Sequence, residues 1–238
     1  MIFNICTSKA RKAPVLNASY PADVTVNAGA SATFKVAIAT DGYPKKYTYQ
    51  WYVNGSAVSG ATGTGFTYAP ASPGSYTVSC KVTNGAGTVT SRTATLKAAY
   101  VLAQDGTLRV SGSIQKETGT FEISGNTLTC YGGTHRGGYF WAVDVTNYSK
   151  LQLAVEFTNR AYNTVEAGVF DSEYTSGRGF APKKWLADTG ESVELTKTVS
   201  GTLDISAVTG TCNVGVQLLG GAGAGSPTAV IKTFILTP

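Results

Sequence analysis

Charged residues and histidine are scarce in this chain, and long apolar runs are missing. Asp, Glu, Lys and Arg make up 14% of the 238 residues, and His135 is the single histidine. The longest apolar stretches are strand-sized and interrupted by polar residues, so none has the length of a transmembrane helix. The sequence therefore predicts no membrane insertion. Any general-base catalysis by histidine would depend on this one residue.

Cysteines are few and widely spaced. No C-x-x-C pair or other short spacing joins Cys6, Cys80, Cys130 and Cys212, so the pattern does not predict a zinc site. We expect packed thiols, and a disulfide between Cys130 and Cys212 stays open as the alternative. A sandwich without disulfides is typical of a protein made in a reducing cytosol. No metal and no cofactor are predicted.

The amino terminus has no apolar segment of signal-peptide length. Residues 1–6 are followed at once by Thr, Ser and basic residues, which is not the pattern of a secretory leader. We therefore expect a protein that does not use the Sec pathway. Residues 1–13 predict a short arm with apolar Ile2, Phe3 and Ile5. Such an arm is either disordered or adds a strand to a neighbouring subunit, and we expect disorder.

What charge there is lies unevenly along the chain. Residues 1–98 carry nine Lys and Arg against Asp23 and Asp41, a net charge of +7, whereas residues 99–238 carry ten against twelve acidic residues, a net charge of −2. The difference predicts two modules. A basic surface suits an acidic partner or nucleic acid. Because the basic residues are scattered and no recognition helix is predicted, we interpret them as a solvated surface and expect no nucleic-acid partner.

Glycine and tyrosine are abundant, with 28 and 13 residues, as is typical of turn-rich β proteins. Residues 49–55 and 74–82 alternate between apolar and polar side chains, which is the period of strands with one buried face. The positions predicted to face inward are Tyr49, Trp51 and Val53 in the first run and Tyr76, Val78, Cys80 and Val82 in the second. Asn54-Gly55 predicts a tight hairpin turn. The fold class predicted is all-β.

Residues 14–98 resemble bacterial and phage immunoglobulin-like modules. The similarity lies in "WYVNG" at residues 51–55, as in strand C of such modules, and in "GSYTV" at residues 74–78, as at the start of strand F. Trp51 corresponds to the tryptophan of strand C, and Tyr76 to the tyrosine corner. The resemblance implies an immunoglobulin-like β-sandwich, a fold that is a spacer, a docking surface or a ligand reader in different proteins.

Residues 99–238 predict eight or so short strands, which favours a jelly roll. They are similar to carbohydrate-binding-module-like, galactose-binding-like jelly rolls in "DVTNYSKLQLAVEF", "GTLDISAVTGTCNVGVQL" and "SPTAVIKTFIL". The resemblance implies a jelly-roll β-sandwich that follows the immunoglobulin-like one, with the boundary close to residues 98–100. Within this second domain, glycine-rich residues 132–138 and 171–184 predict loops.

Catalytic residues are not predicted. No G-x-S-x-G elbow accompanies His135, which we interpret as a solvated loop residue. The carboxylates Glu166, Asp171 and Glu173 lie close together in sequence, but Glu166 occupies an outward position on a predicted strand. We therefore expect a protein that is not an enzyme, and a catalytic carboxylate pair remains a weaker interpretation.

Aromatic and polar residues of the second domain are better candidates, for ligand binding. Sugars stack their C–H faces on Trp and Tyr, while Arg, Asp and Asn bind their hydroxyls. The candidate glycan contacts are Tyr131, His135, Arg136, Tyr139, Trp141, Tyr174, Arg178 and Trp185. The alternative is that Trp141 and Trp185 are core residues.

The two predicted modules belong together in proteins that act outside cells, yet the sequence predicts no leader. A phage or prophage virion component reconciles the two, because virions assemble in the host cytoplasm and act outside it. We predict a homo-oligomeric tail, baseplate or capsid-decorating protein that binds other virion proteins through its immunoglobulin-like domain and arm, and glycan on the host surface. The alternatives are a bacterial cell-surface or secreted adhesin and, more weakly, an accessory fragment of a glycan-active enzyme.

Overall fold

A computed structural model describes residues 9–159, 163–175, 179–189, 195–220 and 226–238. Within these ranges the chain forms nineteen β-strands and no helix, so no described segment is a helix that could span a membrane. The strands form two compact units that divide between Ala98 and Ala99. The predicted class, an all-β chain with an immunoglobulin-like sandwich and a second β-sandwich, is confirmed.

The first unit is built around the long central strand β8. Its strands are β1 (Val15–Leu16), β2 (Val24–Asn27), β3 (Ala32–Lys35), β4 (Ile38–Thr40), β5 (Thr48–Val53), β6 (Ser56–Ala57), β7 (Gly65–Tyr68), β8 (Gly74–Asn84), β9 (Gly87–Thr90) and the first half of β10 (Ala94–Gln104). Strand β8 pairs with β5, β9 and β10 in antiparallel fashion. The pairs β1–β4 and β3–β7 are separate from this sheet, and the core lies between them and it.

Trp51 is the centre of the first core. Its side chain is fully buried, its ring centroid lies 5.5 Å from that of Phe66, and its Nε1 donates a hydrogen bond to the Gly63 carbonyl at 2.9 Å. The Tyr76 hydroxyl donates to the Ser72 carbonyl at 2.8 Å, which is the bond that defines a tyrosine corner. Both residues that carry the immunoglobulin-like resemblance therefore occupy the places that it implies.

The predicted hairpin turn joins β5 to β6. Asn54 and Gly55 have φ angles of 48° and 78°, which is the left-handed region that a two-residue turn of this kind requires. The Asn54 Oδ1 also accepts a hydrogen bond from the backbone N–H of Thr77 at 2.9 Å. The turn is therefore hydrogen-bonded to the neighbouring strand β8.

The last residues of the arm lie along the first unit. Lys12 and Tyr43 exchange two backbone hydrogen bonds, of 2.9 and 2.7 Å, and Asn84 Nδ2 donates to the Lys12 carbonyl at 2.8 Å. The expected disorder is wrong for this part of the arm, because its backbone is paired to the sandwich. Residues 1–8 lie outside the described part of the chain.

The second unit has two layers. Its strands are the second half of β10, β11 (Thr107–Leu108), β12 (Ser113–Ser124), β13 (Thr127–Asp144), β14 (Lys150–Asn159), β15 (Asn163–Thr175), β16 (Gly179–Thr189), β17 (Leu195–Asp204), β18 (Thr211–Gly220) and β19 (Thr228–Thr237). One layer has the order β16-β15-β18-β13-β12, and the other contains β17, β14, β19 and β10. Strand β13 belongs to both layers, because its first residues pair with β19 and residues 135–144 pair with β18.

Apolar side chains from both layers fill the second core. Strand β14 contributes Leu151, Leu153, Val155 and Phe157, all buried, at the inward positions that the alternation predicts. Strand β18 supplies Val214, Val216 and Leu218 from the facing layer. No residue of this cluster belongs to the first unit's cluster, so each unit has its own core within the described residues.

Cys80, Cys130 and Cys212 are buried free thiols. The alternative of a Cys130–Cys212 disulfide is therefore not realised in the structure. Burial raises the pKa of the Cys80 and Cys130 thiols to about 11, and it raises that of Cys212 as well. Near neutral pH these thiols are protonated and unreactive.

Two segments expected as loops are strands. Residues 132–138 lie inside β13, and the described part of residues 171–184 belongs to β15 and β16. A Cβ atom at Gly137 would lie 2.7 Å from the Lys116 Cβ, and one at Gly138 would lie 2.8 Å from the Gln217 Cα. The glycines here permit close packing of neighbouring strands. The loop prediction is wrong because it treated these glycines as a sign of flexibility.

Candidate functional site

The layer that contains β15, β16 and β18 has one face on the core and one face opposite it, which we call the outer face. On β15, Val165 and Val169 point into the core. Because successive side chains of a strand point to opposite faces, Glu166, Gly168 and Phe170 belong to the outer face. Among the described residues of this unit, the candidate site lies there.

Strand register aligns the outer-face residues in rows. Phe140 lies beside Gly215, Gly215 beside Gly168, and Gly168 beside Trp185. The next row contains Gly138, Gln217, Glu166 and Ala187. Trp185 and Glu166 are therefore diagonal neighbours on adjacent strands, at a spacing of roughly 7 Å that long side chains bridge.

Trp185 is an exposed aromatic residue of this face. Its side chain is 45% exposed, whereas the next residue, Leu186, packs against the core. The residue beside it on β15 is Gly168, which has no side chain to cover the indole. An uncovered indole on a strand is a platform on which the apolar face of a sugar ring can stack.

The side chain of Gln217 forms hydrogen bonds with the polar groups of the outer face. Its Nε2 donates to Glu166 Oε2 at 2.5 Å and to the Phe180 carbonyl at 3.1 Å, while its Oε1 accepts from the Phe180 backbone N–H at 3.1 Å. Gln217 is fully buried, whereas Glu166 is half-buried. The arrangement presents the Glu166 carboxylate as a fixed hydrogen-bond acceptor next to Trp185.

Three phenylalanines cover the middle of the outer face. The Phe140 ring centroid lies 5.7 Å from that of Phe170 and 4.9 Å from that of Phe180, and all three side chains are buried. The part of the face that stays open lies toward β16, where Trp185 is. There the Lys183 Nζ pairs with Asp171 Oδ1 at 2.8 Å, and this hydrogen bond raises the pKa of Lys183.

Two of the candidate contacts predicted from the sequence lie on the outer face. They are Trp185 and Arg136, and the Arg136 guanidinium pairs with Glu117 at 3.5 Å. Tyr131 is also exposed, at 47%, but it lies in the part of β13 that adjoins β19 in the opposite layer. The structure therefore does not bring Tyr131 and Trp185 into one site.

Three other candidates are buried. His135 is fully buried with its ring 6.3 Å from that of Phe121, the Tyr139 hydroxyl accepts a hydrogen bond from the Gly112 N–H at 2.7 Å, and Trp141 Nε1 donates to a backbone carbonyl at 2.8 Å. The surface placement predicted for these three residues is wrong, because their positions on β13 face the core. The alternative that Trp141 is a core residue is the correct one.

The remaining candidates cannot be placed at the site. Arg178 lies outside the described residues, and of Tyr174 only the backbone, on β15, is described. Sequence reasoning missed Gln217 as a functional residue. The buried alternation of Val214, Val216 and Leu218 does indicate that Gln217 points away from the core, but no local signal indicates that Phe180 covers it.

Comparison with known families gives one match. Residues 16–96 match the PKD domain. The first unit is therefore an immunoglobulin-like sandwich by sequence as well as by structure. No curated protein sequence matches the chain.

Several solved structures are similar at low identity. A carbohydrate-binding module of the β-sandwich superfamily is 14% identical with a TM-score of 0.38, and the match covers 94% of this chain and 99% of that one. A family 29 carbohydrate-binding module complexed with mannohexaose is 11% identical with a TM-score of 0.34, and it covers 59% and 91%. Sidekick-1 immunoglobulin domains 1–4 are 12% identical with a TM-score of 0.35, and they cover 82% and 49%. Likenesses at this level support no conclusion about function.

Proposed function

We propose that the protein is a non-enzymatic adhesion protein whose second unit binds glycan on its outer face. The observation that carries the proposal is the exposed indole of Trp185, which lies beside Gly168 and diagonal to Glu166. The indole supplies a stacking surface for a sugar ring, and the carboxylate that Gln217 holds accepts bonds from sugar hydroxyls. Arg136 lies three strands away on the same face, so it is a further contact only for an oligosaccharide that spans from β16 to β13.

The first unit has the role of a spacer or docking module in this proposal. Its match to the PKD domain and the burial of its one tryptophan, Trp51, support such a role. We place the protein on a phage or prophage virion, as a homo-oligomer that contacts other virion proteins through this unit and the arm. A bacterial cell-surface or secreted adhesin is the alternative location. Genes for tail assembly beside its own gene would support the virion, and a secretion signal upstream of the chain would support the alternative.

A glycan array followed by calorimetry tests the binding site. The full chain is applied to the array, and the dissociation constant for the best glycan is compared between wild type and Trp185→Ala. Loss of the stacking surface is expected to weaken binding about tenfold or more. Because Trp185 is partly exposed, the same change is expected to alter the free energy of unfolding by no more than about 0.5 kcal/mol.

Tyr131→Ala is the matched control. Tyr131 is as exposed as Trp185 but lies in the opposite layer, so its removal is expected to leave glycan affinity unchanged. Absence of binding to every glycan on the array, or equal affinity of wild type and Trp185→Ala, would contradict the proposal. Turnover of a glycoside that disappears in Glu166→Gln would contradict its non-enzymatic part.

A further inference from the structure

Five basic side chains from two distant segments meet at one end of the first unit. Lys9, Arg11 and Lys12 come from the arm, and Lys45 and Lys46 follow Tyr43 in the connection between β4 and β5. The backbone pairing of Lys12 with Tyr43 brings the two segments side by side. All five side chains are exposed, and we call this group the basic end.

The arm is held in place by buried and tightly packed groups. Asn84 is 7% exposed, and its Nδ2 donates to the carbonyls of Lys12 at 2.8 Å and Pro44 at 3.1 Å. Arg11 Nη1 donates to the Gly85 carbonyl at 3.2 Å. A Cβ atom at Gly42 would lie 2.7 Å from the Pro14 nitrogen, so only glycine lets the arm approach this closely. The cations of the arm are therefore positioned by the fold.

Positive charge dominates this end. Asp41 is the single acidic residue within residues 9–13, 41–47 and 84–86, and it pairs with Lys45. The hydrogen bond from Lys45, together with the nearby charge of Lys9, lowers the pKa of the Asp41 carboxyl. The basic end thus keeps a net charge of +4, five cations against one carboxylate, on a small surface.

An exposed aromatic ring lies among these cations. Tyr43 is 38% exposed, and the Lys9 ammonium lies 5.2 Å from the centroid of its ring. A surface that combines cations with a partly exposed ring fits a ligand that has both anionic groups and apolar C–H faces. Polymers of acidic sugars have both features in every repeat.

We propose that the basic end binds an anionic polysaccharide, a polymer of sugar rings that bear carboxylate, sulfate or phosphate groups. The inference rests on the proposed function, since an adhesion protein meets such polymers at cell surfaces. The lysines pair with the anionic groups, and a sugar ring stacks on Tyr43. This site is distinct from the outer face, because all of its residues lie between positions 9 and 86.

Binding to sodium polygalacturonate tests the inference, with neutral pullulan as the control polymer. The basic end of the full chain is expected to bind polygalacturonate but not pullulan. The affinity for polygalacturonate is expected to weaken when the NaCl concentration rises from about 0.05 to about 0.5 M. The triple change Lys9→Gln, Lys12→Gln and Lys46→Gln is expected to weaken binding about tenfold, because three exposed charge contacts are lost.

A second triple variant controls for net charge. Lys35→Gln, Lys81→Gln and Lys97→Gln remove the same charge elsewhere in the unit, and Lys35 and Lys81 also lie over tyrosine rings, at 4.6 and 4.8 Å. Binding by this variant is expected to stay within about twofold of wild type, because Coulomb attraction between exposed groups is local in salt. Equal loss in both triple variants would overturn the inference.

Gly42→Ala tests whether the fold positions the arm. This change keeps every charge of the basic end but forces the backbone near Pro14 to move. Binding about threefold weaker than wild type is expected, and a similar loss is expected for Tyr43→Ala, which removes the stacking ring. Thermal unfolding checks that both variants are folded. Should Gly42→Ala not fold, wild-type affinity in a folded Tyr43→Ala would overturn the stacking role.

Two further polyanions identify the class of partner. Tighter binding of duplex DNA or of poly-L-glutamate than of polygalacturonate at the same salt concentration would overturn the inference in favour of a nucleic acid or an acidic protein. Trp185→Ala separates this site from the outer face, because it is expected to leave polygalacturonate binding unchanged. If polygalacturonate binds but Trp185→Ala leaves the affinity for every array glycan unchanged, only the proposed outer-face function is overturned. If an array glycan requires Trp185 but polygalacturonate does not bind, only the proposal for the basic end is overturned.

Discussion

The central strands of the two units, β8 and β18, are buried in different ways. In β8, Val78, Cys80 and Val82 are buried while Lys81 is exposed and Ser79 is half-buried, so one face meets the core and the other approaches solvent. In β18, residues 212–218 are buried without interruption. The second face of β18 is covered by Phe140, Phe170 and Phe180. The backbone of Phe180 also hydrogen-bonds the side chain of Gln217 on this face. The comparison shows that the second unit covers both faces of its central strand, whereas the first unit covers only one.

Trp51→Ala tests whether the two cores are separate, and it has the largest expected effect. Removing a fully buried indole leaves a cavity and an unpaired Gly63 carbonyl, which is expected to lower the free energy of unfolding of the first unit by about 4 kcal/mol. In urea unfolding followed by circular dichroism, the transition of the first unit is expected to move to lower urea concentration. The transition of the second unit is expected to stay unchanged. A matched shift in both transitions would show that the units do not unfold independently.

Gln217→Ala compares the covered face of β18 with the open face of β8. The change leaves the Phe180 backbone groups without their side-chain partners, so the second unit is expected to lose about 2 kcal/mol of unfolding free energy. Ser79→Ala at the corresponding outward position of β8 is the control, with a change within about 0.5 kcal/mol. Similar effects of the two changes in urea unfolding would contradict the difference between the strands.

Lowering the pH is expected to destabilise the second unit by less than either of these substitutions. The hydroxyl and backbone N–H of Thr146 hold the pKa of Asp144 below its ordinary value of 3.8, and Ser206 does the same for Asp204. A carboxyl whose pKa is lowered by folding contributes stability above its unfolded pKa, and this contribution is lost as pH falls through the folded value. The melting temperature of the second unit is therefore expected to fall as pH is lowered from about 5 to about 3.

The double change Asp144→Asn and Asp204→Asn removes this titration and keeps an amide oxygen that accepts the same bonds. Scanning calorimetry should then show a flatter dependence on pH for the second unit. The first unit still contains Asp23, whose pKa is lowered by the Thr95 N–H and by Arg92, so its acid sensitivity is expected to persist. An unchanged pH profile of the second unit in the double variant would contradict the role of the two aspartates.

Local alternation was sufficient to place the first core. Trp51 and Val78 were predicted to face inward because strands with one buried face have a period of two, and the structure buries both. The same alternation runs through Tyr139 and Trp141, but they follow glycine-rich residues 132–138, which predict a loop, so a core position for Trp141 stands only as the alternative. There the glycines serve close strand packing, so composition misled where periodicity would have been correct.

The sites depend on contacts between residues far apart in the chain. Glu166 meets Gln217 because β15 and β18 are neighbours in register, and Lys12 meets Tyr43 because the arm pairs with a distant connection. Neither register nor arm pairing has a local signal in the sequence, since both follow from how the strands pack around each core. The fold class was therefore predictable, and the residues that meet at each candidate site were not.

The three tryptophans occupy optically different surroundings. The indoles of Trp51 and Trp141 are buried, so their fluorescence is expected at short wavelength and protected from a dissolved quencher such as acrylamide. Trp185 is 45% exposed, so its emission is expected at longer wavelength and accessible to the same quencher. A sugar that covers this one ring would shift its emission to the blue and reduce its quenching. The unlabelled protein thus contains its own reporter of occupancy.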